Sequence, residues 1–189
     1  MTRTKLVDQF VRLKSRDLGD AIVYRRKVIH LANAVLTWPL LVLDRGSLIA
    51  ACGLSAVLVV ATQRRVPYAS AALLVLLAFA SQTAIAGAWL VFTVGDGSAG
   101  IAGRFFSSRP LPGVPEKSVA GTSAFVLCSS IALFVFLLGS QVSVAAAAWI
   151  TVGTVVIAGS AEAWLRGIDD NFTVLVTSGV VLDVLLRVA

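Results

Sequence analysis

The chain has 189 residues, of which 58% are hydrophobic and 14% are charged, and its formal net charge is +6. This composition excludes an ordinary soluble domain and makes lipid the expected solvent for most of the chain. The single histidine excludes a histidine-rich metal centre, and the two cysteines lie in separate apolar runs without disulfide or metal spacing.

Residues 1–24 are polar and basic, and they precede the first long apolar run. Leu6, Phe10 and Leu13 recur at helical spacing among the charges, which predicts an amphipathic helix lying at the membrane interface. A solvated basic tail is the alternative interpretation of the same residues. Residues 25–189 are expected to form one membrane-embedded domain.

The apolar runs predict an all-α, polytopic membrane bundle of about seven spans, several of them short. Five of the expected helices cover residues 28–43, 47–62, 118–138, 142–164 and 172–188. The other expected helices lie within residues 68–94. Residues 68–94 are long enough for one long helix or for two short helices that are separated near Ser81.

The distribution of charge decides between one helix and two. If the basic N-terminus lies in the cytoplasm, a break near Ser81 returns Asp96 to that same side. Of the 16 lysines and arginines, only Arg45 and Arg187 would then lie outside. The basic character therefore indicates orientation in a membrane, and we expect no nucleic-acid partner.

Three polar clusters then meet at the cytoplasmic end of the predicted bundle, at residues 25–30, 95–121 and 162–171. Polar groups at membrane depth are costly, so they tend to face the bundle interior and to serve function there. A carboxylate such as Asp96 can hold a divalent cation, and a lysine such as Lys117 can hold a phosphate oxygen. Together the clusters predict a nucleotide site.

Each cluster also has a structural interpretation. The basic residues at 25–27 could only anchor the orientation, and His30 could be a histidine satisfied at a helix start. The glycines between residues 95 and 121 could let helices approach closely, and residues 169–171 could cap a helix.

The order and spacing of these motifs resemble the polyprenol kinase family, which contains dolichol and phytol kinases and is related to phosphatidate cytidylyltransferases. The motifs are Arg26-Lys27-x-x-His30, Gly95-Asp96-x-x-Ala99-x-x-x-Gly103-Arg104, Lys117-Ser118-x-x-Gly121, Glu162 and Asp170-Asn171. The resemblance covers about residues 25–177, and the motifs in this order are more specific than any one alone.

The resemblance implies that residues 25–189 are a catalytic domain that transfers the terminal phosphate of CTP to an isoprenoid alcohol. The acceptor would be dolichol, a polyprenol, phytol or geranylgeraniol, and the cofactor would be Mg²⁺. The residues implied in metal binding are Asp96, Asp170 and Glu162. The residues implied in catalysis are Asp96, Lys117, His30 and Asp170, and the proton acceptor is Asp96, Asp170 or His30. The residues implied in nucleotide binding are Arg26, Lys27, Gly95, Gly97, Arg104, Ser118, Gly121 and Asn171.

The sequence departs from the family's relatives in two respects. Cytidylyltransferases carry a C-terminal His-Gly-Gly…Asp-Arg-x-Asp signature, whereas this chain has Gly167-Ile168-Asp169-Asp170-Asn171, which favours the kinase branch. Eukaryotic dolichol kinases are longer, so the chain resembles a minimal prokaryotic core, with its site on the cytoplasmic side of the cell membrane.

Several alternatives stay open on the sequence. Within the same chemistry they are a CTP-dependent diacylglycerol kinase and an enzyme similar to phosphatidate cytidylyltransferases. From another class they are a small transporter and a structural membrane protein without turnover. Small residues on helix faces would also permit a homodimer.

Overall fold

The computed structural model describes residues 24–25, 27–63, 67–106, 108–165 and 167–189. This part of the chain contains seven helices and one short β-hairpin. The helices are α1 Lys27–Val42, α2 Arg45–Gln63, α3 Tyr68–Phe79, α4 Gln82–Phe105, α5 Val119–Gly139, α6 Val144–Trp164 and α7 Asp170–Val188. The predicted interfacial segment lies outside the described residues apart from Tyr24.

The prediction of an all-α membrane bundle is confirmed by the length and composition of these helices. Five of them, α2 and α4 to α7, are long and apolar enough to cross a membrane. The two shorter apolar helices are α1, which contains a 3₁₀ turn at Asn33–Leu36, and α3, which has 12 residues.

The break between α3 and α4 lies where the sequence predicts it. Ala80 is extended, and the side chain of Ser81 caps α4 by accepting a hydrogen bond from the Ala84 amide. The Ser81 amide in turn donates to the carboxylate of Asp183 on α7, at 2.8 Å. A contact between distant parts of the chain therefore holds the break in place.

Helix α4 is the centre of the bundle and packs along both α5 and α7. The predicted end of this helix near residue 94 is wrong, because α4 continues to Phe105. Gly95 and Gly97 are contact points inside this helix. A Cβ on Gly95 would lie 2.6 Å from the Phe125 ring, and one on Gly97 would lie 2.7 Å from Leu31.

A β-hairpin that the sequence analysis did not predict joins α4 to α5. Its strands are β1 Pro110–Leu111 and β2 Val114–Ser118, which pair antiparallel. Gly113 in the turn has a φ of 77°, a backbone conformation that favours glycine. The second strand carries Lys117 to the start of α5.

The helices alternate between two ends of the bundle, and polar and charged side chains fix the end that contains the α3–α4 break. Arg45 donates to the Ala80 carbonyl at 2.7 Å, and Gln82 donates to the Leu43 carbonyl at 2.6 Å. Arg187 pairs with Asp183 at 2.7 Å. The starts of α1, α5 and α7 and the end of α6 lie at the opposite end.

Candidate functional site

A polar cavity of about 280 Å³ lies at the end of the bundle where α1, α5 and α7 begin and α6 ends. The residues that line it are Lys27, Asp96, Ala99, Gly100, Gly103, Arg104, Glu116, Lys117, Ser118, Gly121, Thr122, Glu162 and Asp170. The lining thus combines carboxylates, cations and small residues from five separate segments of the chain.

The charged side chains of this cavity form two groups, and the first is centred on Asp96 of α4. Lys27 places its ammonium 2.7 Å from both carboxylate oxygens of Asp96, and His30 Nδ1 lies 2.8 Å from Oδ2. Both partners project from the first two turns of α1, where residues three apart share one face of a helix. The three side chains are largely buried, with exposed fractions between 14% and 17%.

The stem of Lys27 crosses α4 at Gly100. A side chain at position 100 would collide with the methylene groups of Lys27, so the glycine opens the path to Asp96. The function of this glycine is therefore steric.

The second group of charged side chains is centred on Lys117 at the end of the hairpin. Its ammonium is 2.8 Å from Asp170 Oδ2 and makes a short contact with Glu162 Oε1. Burial alone lowers the pKa of Lys117, but the hydrogen bonds and charges of Asp170 and Glu162 outweigh burial and raise it above its ordinary value. Lys117 is therefore a charged cation at neutral pH.

Two helix N-termini open onto the cavity. Ser118 caps α5 by accepting a hydrogen bond from the Gly121 amide at 3.1 Å, and Asp170 is the first residue of α7. Free amide groups and the helix dipole favour an anion at such positions. Gly103 lies opposite Gly121, and a Cβ on Gly121 would lie 3.1 Å from the Ala99 carbonyl oxygen. Part of the cavity wall is therefore bare backbone.

A second, mostly apolar cavity of about 550 Å³ lies between α1, α2, α3 and α4. Its lining includes Leu40, Leu48, Cys52, Leu73 and Trp89. The two cavities are adjacent, since His30 lines the apolar cavity and also contacts Asp96 in the polar one.

The structure brings most of the predicted site residues together. Those that line the polar cavity are Asp96, Lys117, Asp170, Glu162, Lys27, Arg104, Ser118 and Gly121. His30 and Asn171 line the apolar cavity instead, and Arg26 lies outside the described residues.

The prediction that Gly95 and Gly97 bind the nucleotide does not match their positions. Neither residue lines the polar cavity, and both serve helix packing within α4, as the structural interpretation of the glycines anticipated. Glu116 and Thr122 line the cavity but were missed. In the sequence, Glu116 is adjacent to Lys117, and Thr122 lies one helical turn after Ser118. These positions were the available signals.

The motif resemblance implies a Mg²⁺ ion, so the carboxylates of the cavity can be compared with the ligands that this ion prefers. Within the described residues, no group of three or more His, Cys, Asp or Glu side chains is arranged to hold a metal ion. Mg²⁺ needs no such cage, because it keeps several waters and binds through one or two carboxylates plus substrate phosphates. Asp96, Glu162 and Asp170 line the cavity with carboxylate oxygens of the kind that Mg²⁺ prefers, and each is paired with a lysine in this structure.

Comparison of the chain with protein-family models, with curated proteins and with solved structures returned no match.

Proposed function

We propose that the protein transfers the terminal phosphate of CTP to the hydroxyl of an isoprenoid alcohol. The observation that carries the proposal is the polar cavity, in which three cations, several carboxylates and two helix N-termini converge at one end of a membrane bundle. Phosphoryl transfer depends on positioning and on charge neutralisation, and these are the groups it requires. The choice of CTP rests on the motif resemblance.

The reaction forms a bond between the alcohol oxygen and the terminal phosphorus, and it breaks the bond to the oxygen that bridges the β and γ phosphates. The products are the lipid monophosphate and CDP. Lys117 has three N–H donors, and among the described residues the two carboxylates engage two of them. The third can donate to a phosphate oxygen. Arg104 and the N-terminus of α5 add positive potential on the same wall.

The hydroxyl proton passes to His30 in this proposal. Both oxygens of Asp96 are engaged by Lys27, and Asp170 is paired with Lys117. Asp96 binds Nδ1 of His30, and no hydrogen bond to Nε2 is found among the described residues. Nε2 is thus the ring nitrogen left to accept a proton, while Asp96 fixes the orientation of the ring.

Asp96, Asp170 and Glu162 are the residues that would hold Mg²⁺. When bound, the ion would supply charge neutralisation on the phosphate oxygens.

We further propose that the site faces the cytoplasm of a prokaryotic cell. Lys27, Arg104 and Lys117 lie at the site end of the bundle, whereas Arg45 and Arg187 lie at the other end. An excess of lysine and arginine marks the cytoplasmic side of membrane proteins.

The test is phosphoryl transfer by the purified protein in detergent with Mg²⁺. CTP, UTP, ATP and GTP labelled at the terminal phosphate would be offered with geranylgeraniol, phytol, a polyprenol or diacylglycerol. We expect labelled isoprenoid monophosphate with CTP. If only diacylglycerol were phosphorylated, giving labelled phosphatidate, the isoprenoid acceptor would be contradicted. Release of pyrophosphate from CTP in the presence of phosphatidate would indicate cytidylyl transfer instead. Absence of any turnover would overturn the proposal.

Asp96→Asn is the variant that ties activity to the cavity. We expect it to lower the rate by at least about 100-fold, because the carboxylate orients His30 and contacts Lys27. The matched control is Asp44→Asn at the other end of the bundle, where an exposed aspartate caps α2 through Ser47. Monodisperse elution of both variants in detergent would show that they fold. An active Asp96→Asn protein would contradict the assignment.

A further inference from the structure

We propose that the apolar cavity between α1, α2, α3 and α4 holds the hydrocarbon chain of a neutral lipid alcohol, with the hydroxyl at His30. This inference deepens the proposed function and rests on it. It assigns the acceptor to one side of Asp96 and the nucleotide to the other.

The size and lining of the cavity suit a lipid chain. Its volume of about 550 Å³ lies inside the range of about 300–1,000 Å³ that is typical of small-molecule sites. Leu40, Leu48, Cys52 and Leu73 are each less than 8% exposed and present apolar surface to it. The indole N–H of Trp89 donates to the Asn33 carbonyl at 2.8 Å, so Trp89 offers its ring to the cavity with its polar atom satisfied.

The charge of the lining favours a neutral head group. The residues described around this cavity include no lysine, arginine, aspartate or glutamate. A phosphate or carboxylate head would therefore lack a charged partner there, whereas a hydroxyl needs only hydrogen bonds. His30 and Asn171 are polar groups of the lining that can supply them.

The position of the cavity places that hydroxyl beside the phosphates. His30 contacts Asp96 at 2.8 Å, and Asn171 follows Asp170, which lines the polar cavity. An alcohol with its chain in the apolar cavity would thus present its oxygen at the boundary between the two cavities. A close approach of the reacting atoms is what transfer requires.

The test introduces a bulky side chain into the cavity from α2. Val59 lines the cavity, whereas Val57 on the same helix is 64% exposed on the outer surface, so Val59→Trp and Val57→Trp make a matched pair. We expect Val59→Trp to raise the KM for geranylgeraniol by at least about tenfold and to leave the KM for CTP unchanged. Val57→Trp should change neither constant. Equal effects of the two variants, or no effect of either, would overturn the inference.

A second measurement reads binding without turnover. Geranylgeraniol with a diazirine at the end of its chain would be photocrosslinked to the full-length protein and mapped by mass spectrometry. We expect saturable labelling of cavity-lining residues of α1, α2 and α3, and we expect Val59→Trp to abolish it. Labelling confined to the outer surface of α2 would overturn the cavity assignment. Saturable cavity labelling without phosphoryl transfer would instead retain the lipid-alcohol site and reject the kinase proposal.

Discussion

At the scale of single residues, the site is built from two lysines that are each held by carboxylates. Lys27 pairs with Asp96, and Lys117 pairs with Glu162 and Asp170. Removing one partner from such a buried arrangement leaves the other charge without compensation, which is more harmful than losing an exposed pair. These lysines are therefore expected to matter for stability.

Replacing Lys117 by methionine is expected to destabilise the protein by roughly 1–3 kcal/mol, because Glu162 loses its counterion in a largely buried position. Thermal unfolding in detergent would measure the loss. The control is Arg109→Met, which removes an exposed basic side chain from the same connection. Equal melting temperatures for the two variants would contradict the role of Lys117.

The pH dependence of this effect follows from the raised pKa of Lys117. A cation with a raised pKa contributes its full stabilisation below the unfolded pKa of about 10.4, and the contribution is lost as the pH rises through the higher folded pKa. We expect the stabilisation by Lys117 to persist from about pH 7 to pH 9, so that the Tm of Lys117→Met stays below that of the wild type throughout this range. A difference that vanishes within that range would show that Lys117 is neutral in the folded protein.

The residues of the polar cavity could be predicted because charge in a membrane chain is rare. Asp96, Lys117, Glu162 and Asp170 stand out against apolar runs, and the alternation of helices brings them to one end. Gly95 could not be assigned in the same way, because a glycine carries no chemistry that separates a ligand contact from a packing contact. Its contact with Phe125 depends on the angle at which α4 and α5 cross.

At the scale of elements, α4 shows how glycines act in a membrane helix. In water they favour breaks, but in α4 they allow close packing against α5 and α1. The prediction that α4 ends near residue 94 failed for this reason. The hairpin was missed because Pro110, Pro112 and Pro115 are typical of irregular loops rather than strands.

Gly95→Ala is expected to destabilise the protein by roughly 1–3 kcal/mol, since its Cβ would lie 2.5 Å from Ser129 Oγ and 2.6 Å from the Phe125 ring. Gly53→Ala in α2 is the matched control, because a Cβ there meets nothing within 4 Å. That control should be neutral or stabilising, as alanine favours a helix. Comparison of the two Tm values measures the packing effect, and a neutral Gly95→Ala would refute it.

The α3–α4 break provides a second prediction at this scale. Asp183→Asn should lower stability by roughly 1–3 kcal/mol, because the carboxylate accepts from the Ser81 amide and pairs with Arg187. Catalytic activity at permissive temperature should be retained, since these residues lie at the end opposite the polar cavity. Thermal unfolding and the transfer assay would be run on one preparation. A stable but inactive variant would contradict the prediction that Asp183 serves stability and not activity.

At the scale of the whole molecule, the seven helices alternate between an end that holds the polar cavity and an end that holds the α3–α4 break. This arrangement could be predicted from the charge asymmetry and the break near Ser81. The apolar cavity could not, because its wall is a shape formed by four helices and its leucines resemble any membrane-facing leucines. Sequence patterns identify which residues are apolar but not which of them surround a space.

Cysteine labelling tests the alternation directly. In a background without Cys52 and Cys128, cysteines would be introduced at Pro112 in the hairpin turn and at Gly139 at the end of α5. Both positions are exposed, so an impermeant maleimide should reach them from opposite sides of the membrane. Under the proposed orientation, Pro112→Cys reacts from the cytoplasmic side. Labelling of both from one side would contradict the alternation.

The balance of charge in the polar cavity has a thermodynamic consequence if the proposed function holds. Carboxylates outnumber cations among the described residues that line it, by four to three. A free triphosphate would therefore meet a wall that is negative on balance, and a free dication would find no preformed group of three ligands there. Each would raise the affinity for the other by the same factor, because coupling free energies are reciprocal. Titration calorimetry should then detect weak binding of CTP or Mg²⁺ alone and tight binding of the two together.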